Sequence, residues 1–248
     1  MKAIVVIPAR YKSSRYPGKP LVPLLGKPMI LWVAELSAKA VGEENVFVAT
    51  DDKRIEEVVN KAGYQSVITS ESALTGTDRL AEVAHKIEAD IYINVQGDEP
   101  LVKPNDIKKI LEEKKKYPNE VINGYCQINM NEDPFNINIP KVIFTESKRL
   151  VYMSRQAIPG YKDIKNAPQK YYKQVCIYAF NRDELIKYGK FGRKSLLEKS
   201  EDIEIIRFFE WGQLIRMVET HSGSLAIDVP SDVEKVEHVL KLNSNANR

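Results

Sequence analysis

Short apolar runs alternate with helix-length amphipathic stretches through the first hundred or so residues, the pattern of repeated βαβ units around a mostly parallel sheet. Strands are expected at Ala3–Ile7, Asn45–Ala49, Ser66–Thr69 and Ile91–Val95. Helices are expected at Pro28–Ala40, Lys53–Ala62 and Asp78–Glu88, the last with Leu80, Ala81, Val83 and Ala84 at helical spacing. Beyond a helix near Asn105–Lys116 the pattern turns β-rich, around Glu120–Met130, Lys141–Phe144, Val151–Arg155 and Gln174–Phe180. These pieces fit antiparallel strands and a smaller inserted subdomain over about residues 120–180 better than another βαβ turn. Helix returns at Ser200–Trp211, strand at Leu214–Thr220, and a final helix at Val233–Leu242 that Ser231 could cap. Residues 1–248 thus read as a single α/β domain whose insert is a candidate for substrate specificity and dimer contacts.

The first strand runs into a loop carrying Arg10, Lys12, Arg15 and Lys19 among glycines, prolines and serines. Ligands of open α/β sheets sit at the carboxyl ends of strands, so this loop reads as a polyphosphate site. A nucleoside triphosphate brings about four negative charges, which backbone N–H groups and cations must meet together. Gly18 permits close backbone approach, and Arg10, Arg15 and Lys19 supply charge; the same cations, Lys12 above all, could simply be solvated. A second segment ends an apolar strand in Gln96-Gly97-Asp98-Glu99-Pro100, and Asp98 is placed to hold Mg²⁺ against phosphate oxygens. In a third, Thr75-Gly76-Thr77-Asp78-Arg79 opens a helix, where a base, ribose or phosphate could be read; the plainer role makes Thr77 an N-cap and Asp78 a partner of the helix dipole. In a fourth, Asp228 ends a strand before Ser231 and Asp232 begin a helix, so Asp98 and Asp228 could converge on one metal.

Composition narrows the classes. The balance of 37 basic and 34 acidic residues leaves a net charge of +3, too little for a nucleic-acid coat. Cys126 and Cys176 have no CxxC spacing, and His85, His221 and His238 form no ligand-spaced set, which argues against a disulfide framework, zinc or a nucleophilic triad. No secretory core and no membrane span of about 20 apolar residues is present, so the expectation is a cytoplasmic protein with neither membrane nor nucleic-acid partners.

Taken together, PARYKSSRYPGKPL, GKPMI, VATDD, TGTDRLAE, NVQGDEP, SRQAIP and IDVPSDVEKV resemble, in order, the 3-deoxy-manno-octulosonate (Kdo) cytidylyltransferases, or CMP-Kdo synthetases. The resemblance runs from residue 3 to about residue 240. It implies a Rossmann-like nucleotidyltransferase core with a smaller β-rich dimerisation subdomain, a requirement for Mg²⁺, and a homodimer. It further implies attack of the anomeric hydroxyl of the sugar acid on the α-phosphorus of CTP, giving a CMP-sugar and pyrophosphate for bacterial lipopolysaccharide or capsule synthesis. Arg10, Lys19 and Asp98 become the catalytic candidates. Ala9, Arg10, Ser13, Ser14, Arg15 and Lys19, with Thr75, Gly76, Arg79 and Gln96, become the nucleotide contacts. Gln96, Arg155, Gln174, Tyr178 and Glu204 become sugar contacts, and Asp98 and Asp228 the metal ligands.

Where that family usually reads His-Leu-Gly-Ile-Tyr, this chain reads Gln174-Val175-Cys176-Ile177-Tyr178, and the usual Pro-Leu-Glu helix start is altered in SLLEKSEDIEIIRFFE. Gln cannot carry a proton charge as His can. Both changes fall on the sugar side, which leaves an amino-octulosonate or a nonulosonate as rival acceptors. A sugar-nucleotide-dependent glycosyltransferase and a non-catalytic nucleotide sensor are the readings from other classes.

Overall fold

The computed structural model describes residues 1–12, 16–221 and 225–246, so Ser13, Ser14 and Arg15 lie outside the described residues. In chain order the main elements are β1 (Ala3–Ala9), a minimal hairpin of β2 (Pro23–Leu24) and β3 (Lys27–Pro28), α1 (Met29–Val41), β4 (Val46–Thr50), α2 (Lys53–Lys61), β5 (Gln65–Ile68), α3 (Gly76–Lys86), β6 (Ile91–Val95) and α4 (Pro104–Lys116). There follow β7 (Val121–Gln127), β8 (Lys141–Phe144), β9 (Leu150–Ser154), β10 (Tyr172–Phe180), α5 (Arg182–Lys190), α6 (Leu196–Glu201), α7 (Ile206–Glu210), β11 (Ile215–Glu219) and α8 (Asp232–Ala246).

The large sheet runs β11-β7-β10-β6-β1-β4-β5. Its pairs β1/β4, β1/β6, β4/β5 and β7/β11 are parallel, while β10 is antiparallel to both β6 and β7. This is the mixed α/β, mostly parallel sheet expected. Of the β-rich pieces, β7 and β10 are strands of the main sheet; the β8–β9 hairpin attaches to it at Lys141 opposite Lys173.

Strand β1 is a nearly unbroken apolar run because both faces of the sheet are covered. Ile4 and Val6 join Leu80, Val83, Leu185 and Phe208 on one face; Val5 and Ile7 join Ile30, Val33, Ile55 and Ile107 on the other. After β1 the chain adds β4 and β5 on one side and then returns through α3 to place β6 on the other side of β1. That reversal opens a crevice at the carboxyl ends of β1 and β6, where a ligand is expected in such sheets. A smaller core of Leu24, Met29, Leu101, Ile227, Val236 and Leu240 anchors α8 and the segment leading to Asp228 beside that crevice.

Four features depart from expectation. The strand expected to end at Asp228 does not form: residues 225–228 run without strand pairing into the turn before α8. Helix α5 follows β10 directly and is set by a capping box: the Asn181 side chain accepts from the Glu184 N–H and Glu184 reaches back to the Asn181 N–H. The single helix expected at Ser200–Trp211 is two short ones, because Asp202 turns left-handed at φ 50° between them. Thr75, not Thr77, caps α3, its hydroxyl oxygen accepting the Asp78 N–H at 3.2 Å, while Thr77 is buried inside the first turn.

Candidate active site

The carboxyl ends of β1 and β6, the start of α3 and the turns after β9 and α6 enclose a cleft of about 600 Å³. One wall is the base of the opening loop. Gly18, at φ +73°, donates its N–H to the Tyr11 carbonyl at 2.9 Å, and a Cβ there would stand 3.1 Å from the Tyr11 ring. The chain then turns tightly over Lys19–Leu21, which aims the Lys19 side chain across the crevice.

Lys19 Nζ donates to Asp98 Oδ2 at 2.6 Å and to the Ile227 carbonyl at 2.8 Å, with Asp228 Oδ1 3.8 Å away. Residues 19, 98 and 228 therefore meet at one point, as the two-aspartate reading requires. The meeting is held by backbone as well: the Ile227 N–H donates to the Asp98 carbonyl at 3.0 Å, and Asp232 accepts the N–H groups of Asp228 and Val229. Gly97 makes it possible, since a Cβ at that position would lie 2.8 Å from the Pro8 carbonyl oxygen. Arg10, exposed, lines the same cleft beside Ala9.

The start of α3 forms a second wall. Glu204 Oε2 accepts the Thr77 N–H at 2.9 Å and its Oε1 accepts from Gln96 Nε2 at 3.0 Å. Gly76 admits this arrangement, for a Cβ there would stand 3.1 Å from Pro8 and 3.3 Å from the Gln96 amide. Burial pushes the Glu204 carboxyl above the ordinary range, opposed by the Thr77 N–H. Arg79 borders the cleft, yet its guanidinium is buried and committed to Asp51 at 2.8 Å, Thr69 Oγ1 at 2.7 Å and the Ser70 carbonyl at 3.1 Å.

On the third side, the Arg155 guanidinium donates to the carbonyls of Ile137 at 3.1 Å, Asp202 at 2.9 Å and Glu201. A ligand carboxylate would have to displace some of these bonds to be gripped by a bidentate fork. Tyr178 and Gln174 stand behind the cleft and do not line it. Gln174 Nε2 donates to Asn123 Oδ1 at 3.1 Å and to the Tyr178 hydroxyl at 3.4 Å, and desolvation holds the phenol well above its ordinary pKa.

A lysine shared by two aspartates thus stands in a cleft at the sheet's reversal point, beside the exposed Arg10. A family model described as cytidylyltransferase matches residues 4–215. The 3-deoxy-manno-octulosonate cytidylyltransferase of Escherichia coli is 39% identical over 239 residues, 96% of this chain and 96% of that protein. The chain belongs to the Kdo cytidylyltransferase family. The 8-amino-3,8-dideoxy-manno-octulosonate cytidylyltransferase of Shewanella oneidensis is 36% identical over 253 residues, covering 98% of this chain and all (100%) of that one. A solved CMP:2-keto-3-deoxy-manno-octonic acid synthetase complexed with CTP superposes with a TM-score of 0.91 at 39% identity, covering 98% of this chain and 100% of the other. As a member of this family the protein is a nucleotidyltransferase.

The structure thus brings Ala9, Arg10, Lys19, Thr75, Gly76, Arg79, Gln96, Asp98 and Arg155 to one cleft, with Asp228 on Lys19 and Glu204 on Gln96. Gln174 and Tyr178 are not in its lining. Sequence reasoning passed over Asp51, the buried partner of Arg79, although it stands in the quoted VATDD. It also passed over Gly97, for which a glycine between two polar residues at a strand end was the available signal. Nothing local in the sequence marks the Ile227 carbonyl as an acceptor for Lys19, which is 208 residues away.

Proposed function

We propose that this enzyme transfers the cytidylyl group of CTP to the anomeric hydroxyl of a 2-keto-3-deoxy sugar acid, 3-deoxy-manno-octulosonate, releasing pyrophosphate. The observation that carries the reading is the meeting of Lys19, Asp98 and Asp228 at the floor of the cleft. Lys19 and Arg10 meet the triphosphate and offset the charge that grows on the departing pyrophosphate. Thr75 and Gly76 line the cleft at the start of α3, where a ribose or base can be read, while the N–H groups of Thr77 and Asp78 are already taken by Glu204 and Thr75. Gln96 and Arg155 face the same space from the acceptor side. No covalent intermediate is needed: orientation of the two substrates and fixed charges aimed at the leaving group supply the acceleration.

The donor set fits Mg²⁺. Among the described residues no three acidic, histidine or cysteine side chains gather as a metal cluster, but two carboxylates already converge on one cation, and Mg²⁺ takes one or two carboxylates plus substrate phosphate oxygens. Asp98 and Asp228 would hold the ion, which when bound supplies Lewis-acid polarisation of phosphoryl and hydroxyl oxygens.

The homodimer belongs to the same proposal and is supported by the exposed apolar side chains Met130, Phe135, Ile137 and Ile164 on the segment between β7 and β10. Among the described residues no helix is long and apolar enough to cross a membrane. A cytoplasmic setting belongs to the proposal because the reaction draws on CTP. The product would serve as donor for bacterial lipopolysaccharide or capsule. The amino-octulosonate acceptor is the second reading, favoured by the likeness to the 8-amino-3,8-dideoxy-manno-octulosonate cytidylyltransferase of Shewanella oneidensis. Incubation with CTP, Mg²⁺ and a panel of octulosonates and nonulosonates, read by pyrophosphate release, tests both. Turnover of none of the panel would remove the activity; preference for the amino sugar would move the acceptor.

A further inference from the structure

The Lys19 ammonium stands between the two carboxylates assigned above to the metal. It is more sheltered than either, at 13% side-chain exposure against 29% for Asp98 and 47% for Asp228. The position is built. Gly18 fixes the backbone of the turn, and the third acceptor, the Ile227 carbonyl, is anchored by its own N–H bond to Asp98 and by the buried Ile227 side chain. A surface salt bridge would show neither anchor. A divalent cation drawing one oxygen from each aspartate would sit at roughly 2.1 Å from both. At a few ångströms the ammonium and the dication repel strongly in a partly desolvated site. The two cations exclude each other.

We propose that Lys19 is a built-in competitor for the metal: in the free enzyme it neutralises Asp98 and Asp228, and it gives up that place only when nucleotide phosphate oxygens offer its ammonium a new partner. The enzyme without nucleotide then binds metal weakly, and metal and nucleotide binding strengthen each other, since such coupling is reciprocal. One side chain thereby guards the carboxylates against stray cations and later serves the triphosphate. This rests on the metal assignment proposed above and adds to it an order of events.

The test is a titration of the full-length protein with Mn²⁺, without nucleotide, following free Mn²⁺ by electron paramagnetic resonance and the fold by circular dichroism. Lys19→Met and Lys19→Gln are expected to bind Mn²⁺ at least about tenfold tighter than the wild type. Lys19→Arg, which keeps a cation there, is expected to stay as weak as the wild type. Adding Asp98→Asn to Lys19→Met is expected to abolish the gain. Met and Gln variants that bind no tighter than wild type, an Arg variant as tight as the Met variant, or a gain that survives Asp98→Asn would each overturn the proposal. Neither CTP nor a sugar acid is in the titration, so failure here leaves the proposed reaction standing, and absence of turnover leaves this result standing.

Discussion

Gly97 follows β6 and lies against the end of β1, and Gly97→Ala puts a single methyl between them. The new carbon would lie 2.8 Å from the Pro8 carbonyl oxygen, 3.2 Å from Ile30 Cδ1 and 3.5 Å from Ile7 Cγ2. The isoleucine tips can rotate aside; the carbonyl belongs to the backbone of the central strand and cannot. The two strand ends must separate by several tenths of an ångström, and such overpacking costs about 1–3 kcal/mol. For a domain of this size that lowers Tm by roughly 2–12 °C. The same displacement moves Asp98, the next residue, away from Lys19, and misplacement on the order of 1 Å costs about 100-fold in rate. We therefore expect kcat/KM to fall about 10- to 100-fold alongside the lower Tm. Calorimetry and CTP turnover on this variant check both, with Gly160→Ala, which has nothing within 4 Å of the added carbon, as the neutral control. A Gly97→Ala enzyme within about 0.5 kcal/mol of wild type and fully active would show that the strand ends tolerate the methyl and that Asp98 does not depend on Gly97.

Asp98→Asn should lower turnover about 100- to 1,000-fold while calorimetry shows the fold intact, and near-normal rates would remove Asp98 from the reaction. Lys114, fully buried, donates to Glu184 at 2.7 Å, and desolvation holds the lysine below and the glutamate above their ordinary pKa values. Lys114→Met should cost about 3–5 kcal/mol in urea unfolding by stranding Glu184, and Lys114→Met with Glu184→Leu should recover most of it. A carboxyl whose folded pKa is raised binds its proton more firmly when folded, so stability falls as pH rises from the unfolded pKa through the folded one. The Lys114→Met loss should therefore be smaller near about pH 5 than near about pH 8. Burial pushes the thiol of Cys126 to about 11, so a disulfide reagent at about pH 8 should find it unreactive until the protein unfolds; fast reaction at Cys126 would contradict this. Gln174→His should raise turnover of 3-deoxy-manno-octulosonate relative to its 8-amino analogue, and an unchanged acceptor profile would leave Gln174 without a part in selection.

The parallel core was readable because β1, β4 and β6 are apolar runs closed by polar residues, and β6 falls on the expected Ile91–Val95. Helix α5 was not, because Arg182–Lys190 is short and mostly polar; only the Asn181…Glu184 capping pair announces it. Periodicity could not show that Asp202 would break the later helix, since a left-handed residue leaves the apolar spacing around it intact. At the site, residue types and order were enough to single out Lys19, Asp98 and Asp228, with Lys19 assigned to phosphate; that its ammonium sits on the two carboxylates was not legible. Nor could residue types and order show how Arg79 and Arg155 spend their hydrogen bonds. Those partners, Asp51 for one and three backbone carbonyls for the other, are supplied by distant segments that only the fold brings near. The same holds for Glu204, whose bonds to Thr77 and Gln96 join positions 127 and 108 residues apart.

The fate of CTP at the cleft where Lys19 meets the two aspartates decides the reaction. Phosphorus NMR of the enzyme with CTP, Mg²⁺ and 3-deoxy-manno-octulosonate should show CMP-sugar phosphodiester and pyrophosphate growing in equal amounts, with both signals suppressed in Asp98→Asn and Asp228→Asn. CTP left unchanged, orthophosphate in place of pyrophosphate, or undiminished signals in both aspartate variants would contradict it.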